Sequence, residues 1–148
     1  MSQRPGWRTF PHTADLGLFV YGSSKRRLFV NASKAMMSYL CENRARPLTR
    51  IPVALQAPTE EELLVGFLSQ VKYLFERQGF VPVKYEPFMH LPRGAGMAKT
   101  CVIHLLGEQI PKDQIQYHLE IKNITYHMLK LEWLPRLKRW RTRLVLDL

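Results

Sequence analysis

Acid is scarce in this chain. Its 148 residues carry 12 Asp and Glu against 22 Lys and Arg, a formal net charge of +10, and the aspartates number three: Asp15, Asp113 and Asp147. Cysteine is scarcer still. Cys41 and Cys101 match no ligand spacing, which excludes a disulfide framework or a zinc module and predicts buried, reduced thiols. No apolar run approaches the roughly 20 residues that span a bilayer, so no membrane contact is expected. The first residues lack the apolar core of a secretion signal, and the expected compartment is the cytoplasm. Gly94-Ala95-Gly96 has no helix after it and reads as a turn rather than a phosphate cradle. The five histidines, His12, His90, His104, His118 and His127, are scattered, and no nucleophile sits at a strand-to-helix elbow.

What is present is the composition of one folded domain, residues 1–148. Hydrophobic residues make up 46% and aromatics 11%, enough for a core in a chain of this length. The positive charge is uneven: residues 1–50 hold nine Lys and Arg against two acids, and residues 136–143 hold five more. Such a surface permits attraction to nucleic acid or to an acidic partner; a merely solvated basic face is the plainer alternative.

Residues 7–11 and 16–22 read as two strands. Ser24 then caps a helix in which Leu28, Phe29, Ala32, Ala35, Met36, Tyr39 and Leu40 recur at helical spacing. Residues 51–56 form a short strand that Pro52 assigns to an edge. Thr59 with Glu62 is a capping box for a second helix, carried by Leu63, Leu64, Phe67, Leu68, Val71, Leu74 and Phe75 and ended by Gly79. Residues 81–91, 98–106, 115–120, 124–133 and 141–148 all read as strands, with His104, His118 and His127 as structural histidines within them. The fold class is α+β: a single compact domain with two amphipathic helices packed on a mostly antiparallel β-sheet structure.

Asp15 falls where a strand begins, and Asp147 falls at the far end of the sequence beside Leu148. If the fold joins these ends, two carboxylates and the terminal oxygens of Leu148 converge, a hard-oxygen set suited to Ca²⁺ or Mg²⁺. The plainer alternative makes Asp15 a turn cap and leaves Asp147 at a loose end. A hydrolase using the two as acid and base would lack a nucleophile and an oxyanion group.

His12-Thr13-Ala14-Asp15-Leu16-Gly17, followed by Tyr21-Gly22, resembles the N-terminal signature of the archease family. Glu62-Leu63-Leu64-Val65 with Phe67-Leu68 and Tyr73-Leu74-Phe75 is similar to that family's second helix. Glu120 to His127, with Leu129-Lys130-Leu131-Glu132, resembles its late hairpin, and Leu144 to Leu148 its last strand. The resemblance implies a small cytosolic protein that is not an enzyme. Its role would be to activate a GTP-dependent RNA ligase of the RtcB type, promoting the ligase's guanylate intermediate and repeated turnover in tRNA splicing or RNA repair.

The resemblance also implies a divalent cation, Ca²⁺ with Mg²⁺ or Mn²⁺ as alternatives, held by Asp15, Asp147 and the main-chain oxygens of Leu148. His12 and Lys122 would stand around it. Without a cation, each pair of these like charges would cost about 1–4 kcal/mol at 4 Å; Lys122 or Lys130 could also offset it. The chain departs from the family pattern at the start of its first helix, Lys25-Arg26-Arg27, and at Val30, Gly66 and Gln70, where acidic residues are expected. A different reading is a basic RNA-binding module contacting its ligand through Arg136, Lys138, Arg139, Trp140 and Arg141, in a run from Trp133 to Arg143, since aromatics interleaved with guanidinium groups hold single strands.

Overall fold

The computed structural model describes residues 6–10 and 15–148. In chain order these form β1 (Trp7–Phe10), β2 (Asp15–Gly22), α1 (Lys25–Leu40), β3 (Thr49–Ala57), α2 (Glu60–Gln78), β4 (Phe80–His90), β5 (Lys99–Gln109), a 3₁₀ turn (Lys112–Gln114), β6 (Asn123–Thr125), β7 (Glu132–Leu134) and β8 (Arg139–Asp147). Both helices begin as the sequence dictates. The Ser24 hydroxyl accepts from the Arg27 N–H and the Thr59 hydroxyl from the Glu62 N–H, each at 3.1 Å, so donors that the first turn would orphan are satisfied. Gly79 ends α2 with φ +67°, a left-handed position where a Cβ would also stand 2.2 Å from the Ile110 carbonyl oxygen.

Two antiparallel sheets result. One has the order β1-β2-β8-β6, with β7 also pairing β8; the other has the order β3-β5-β4. Pro52 lies on β3, an edge strand, where its missing N–H costs no ladder bond. Leu18, Val20, Leu144 and Leu146 from the larger sheet share one core with Val53, Ile103 and Leu105 from the smaller. The helices drive their apolar stripes into that core, and Phe29 of α1 meets Phe67 of α2 at a ring separation of 6.1 Å. Cys41 and Cys101 are buried and unpaired; burial pushes both thiols up, Cys101 to about 11.

Two expected strands take other forms. Residues 115–120 are extended but bind the end of α1 instead of a sheet: the N–H groups of His118 and Leu119 donate to the carbonyls of Leu40 and Tyr39 at 3.0 and 2.8 Å. Helix α1 exposes orphan carbonyls at that end, and this segment satisfies them. Residues 124–133 are interrupted by a turn in which Met128 adopts φ 58° and the Leu129 N–H reaches the Tyr126 carbonyl at 3.1 Å. What remains is β6 and β7, both on the same side of β8. His104 lies in β5 as expected, whereas His118 and His127 lie outside the strands.

Candidate metal centre and the basic sheet face

The register of the larger sheet decides where the chemistry sits. β2 runs antiparallel to β8 with Asp15 directly opposite Asp147, and β6 places Asn123 opposite Asp147 on its other side. Directly opposed residues of an antiparallel pair project to the same face, with Cβ atoms about 4.5–5.5 Å apart. Asp15, Asp147 and Asn123 therefore form one rung of oxygen-bearing side chains. In the next position along, Leu16, Leu146 and Ile124 point the other way into the core. The apolar alternation on the inner face thus forces the acids outward.

The surroundings hold this rung in place. The Lys122 N–H donates to the Asp147 carbonyl at 2.7 Å, extending the ladder past β6. Leu148 packs its side chain against the core, fixing the main chain that follows Asp147. On the outer face, the Phe10 ring lies over Gly17, where an added Cβ would come within 2.7 Å of it. Gly17 lies two residues along β2 from Asp15, so one side of the rung is screened by an aromatic wall.

Of the residues expected at a metal, Asp15, Asp147 and the main chain of Leu148 come together. Lys122 meets Asp147 through its backbone N–H; its side chain is exposed and pairs with neither aspartate among the described residues. His12 lies outside the described residues. Among the described residues no three His, Cys, Asp or Glu side chains cluster as a metal site. The donor set is thus two carboxylates, the Asn123 amide oxygen and main-chain oxygen, which is the chemistry of a hard cation and not of zinc. It fits Ca²⁺ or Mg²⁺: two opposed carboxylates, one of which, Asp147, has no cation within 4.0 Å among the described residues. Asn123 was not legible in the sequence, because asparagine in a short exposed strand carries no signal until the register is known.

The same outer face carries the basic groups, but not the set the sequence suggested. Arg139, Arg141 and Arg143 alternate outward along β8, while Trp140 lies on the opposite side, with the Lys25 ammonium 4.5 Å from its ring centre and Trp133 at 5.5 Å. Arg136 and Lys138 sit in the exposed turn between β7 and β8. Arg141 is bound to Glu132 at 2.6 Å, which holds the Glu132 carboxyl below its usual range. Arg8, Phe19 and Arg143 share a rung, as do Tyr21, Arg141 and Glu132. Nothing in the sequence marks Arg8 and Phe19; only strand pairing brings them beside Arg143.

Comparison with known proteins adds three findings. Residues 7–148 match the model of the Archease protein family. The chain is 30% identical to a protein named archease from Methanosarcina acetivorans, over 99% of both chains, and 27% identical to one from Pyrococcus furiosus, over 96% of this chain and 98% of that one. In solved structures it is similar to protein 1598 of Methanobacterium thermoautotrophicum, with a TM-score of 0.82, 20% identity and coverage of 98% and 100% of the two chains. It also resembles a Thermotoga maritima archease described as a possible chaperone, at a TM-score of 0.53, 21% identity and coverage of 100% and 99%. The α+β architecture of two helices on antiparallel sheets is shared with these structures.

Proposed function

The chain belongs to the archease family, and from that premise we propose that it is a cytosolic accessory factor, not itself an enzyme, that activates a GTP-dependent RNA ligase of the RtcB type. It promotes formation of the ligase's guanylate intermediate and supports repeated turnover, in tRNA splicing or RNA repair. The observation that carries the reading is the pairing of Asp15 with Asp147. Two acids in a chain of net charge +10 are set side by side by the backbone ladder, against their mutual repulsion. A cation held between them would relieve that repulsion. Asp15 and Asp147 would hold the ion through their carboxylates, Leu148 through main-chain oxygen and Asn123 through its amide oxygen. The ion, Ca²⁺ with Mg²⁺ and Mn²⁺ as alternatives, would supply a fixed positive centre on a surface that the ligase contacts.

An accessory role agrees with the description of the Thermotoga relative as a possible chaperone. The test is to mix the protein with an RtcB-type ligase and GTP and to measure guanylated ligase with and without chelator. Asp15→Ala and Asp147→Ala should each abolish stimulation while thermal unfolding stays cooperative. Full stimulation by both variants would contradict the metal-centred role.

A further inference from the structure

The outer face of the five-stranded sheet holds more positive charge than its neighbours neutralise, and holds it in a fixed arrangement. Three guanidinium groups surround the half-buried Phe19 ring, with Arg8, Arg141 and Arg143 at 4.9, 5.2 and 5.7 Å from its centre. Arg139 lies 4.0 Å from the centre of Tyr21, whose hydroxyl accepts from Arg8 Nε at 3.2 Å. Glu132 is bound to Arg141 alone, and neither Arg8 nor Arg143 has a carboxylate within 4.0 Å among the described residues. Like charges crowd together here because aromatic rings support their flat faces. A guanidinium stacked on a ring keeps its N–H edge available, and that edge matches two oxygens of a phosphate.

Beside Arg143 the surface is hollow. An open depression of about 420 Å³ exists elsewhere, at the start of α1, but this one, of about 350 Å³, is lined by Tyr126, Met128, Leu129, Lys130, Glu132 and Arg143. Tyr126 is 58% exposed, an aromatic plane open to solvent next to two cations. Such a depression suits a flat heterocycle. Phosphate-matching edges in a row with an aromatic-walled hollow describe a single strand of nucleic acid better than an acidic peptide, which offers charge but no planar ring.

We propose that this face binds single-stranded nucleic acid, with phosphates against Arg8 and Arg143 and one base in the depression against Tyr126. The contact is made by this chain alone, so it stands or falls separately from ligase activation. It differs from the site suggested by the basic run in the sequence, because Trp140 faces away and Arg136 and Lys138 lie in the turn.

Fluorescence anisotropy with a labelled single-stranded RNA of about a dozen nucleotides, without ligase, tests it. Wild-type protein should bind at low salt, with log affinity falling linearly as log salt rises, by about 0.7 per phosphate engaged. Arg8→Glu with Arg143→Glu should lose affinity about tenfold or more and flatten the salt slope by more than one unit. Arg136→Glu with Lys138→Glu makes the same change in net charge and should cost far less. Glu132→Gln, which removes the carboxylate that engages Arg141, should tighten binding, and this variant keeps the test decisive if the arginine variants fail to fold. Equal losses in the two double variants would reduce the effect to net charge and overturn the proposal. So would the absence of binding at low salt, a weaker complex with Glu132→Gln, or displacement of the RNA by polyglutamate at comparable charge.

Discussion

Two carboxylates opposed across neighbouring strands repel, and the backbone gives Asp15 and Asp147 no freedom to separate, because hydrophobic partners on the alternate positions hold the register. Replacing Asp147 by Asn keeps the shape and removes one charge. In chelator at low salt, Asp147→Asn should therefore stabilise the protein by about 1 kcal/mol, the cost of such a pair in a high-dielectric setting. Denaturant unfolding would measure it. A variant less stable than wild type in chelator would mean that the carboxylate is already satisfied by protein groups. The acids could be picked out in the sequence because aspartate is rare in this chain and these two flank strand-forming runs. Their pairing in one rung, and the arrival of Asn123 beside them, depend on register, which sequence spacing alone does not set.

At the scale of the element, the helices were plain in the sequence because stripe, cap and terminator agreed at every level. The second, α2, carries one exception. Gly66 sits mid-helix, where a Cβ would find ordinary contact with the Leu55 methyl groups at 3.7 and 3.8 Å. Gly66→Ala should thus stabilise the fold by about 1 kcal/mol, seen as a raised denaturant midpoint at unchanged slope. A lowered midpoint would show that the contact with Leu55 is tighter than it looks. The two departures from expected strands have equally local causes. Residues 115–120 have a strand's composition, yet the nearest unsatisfied groups are the carbonyls at the end of α1, and those claim the segment. In residues 124–133 the left-handed Met128 breaks a run that no glycine or proline announces, and the Glu61 carboxylate then accepts the Leu131 N–H at 3.0 Å, docking the loop at the start of α2.

Across the whole molecule, β8 organises the surface. Its even-numbered residues 142, 144 and 146 are buried beneath the sheet. Its odd-numbered residues run from the guanidinium groups of Arg139, Arg141 and Arg143 to the carboxylate of Asp147, so one strand carries opposite charges at its two ends on one face. Basic composition was visible in the sequence, but its division between the outer face, the β7–β8 turn and the start of α1 was not, since residues distant along the chain meet only through strand pairing. The account rests most heavily on the acid end of that face. Isothermal titration of metal-free protein with Ca²⁺ tests it directly. Wild type should bind one ion per chain, and Asp15→Asn and Asp147→Asn should each lose that binding while remaining folded; unchanged stoichiometry and affinity in both variants would contradict it.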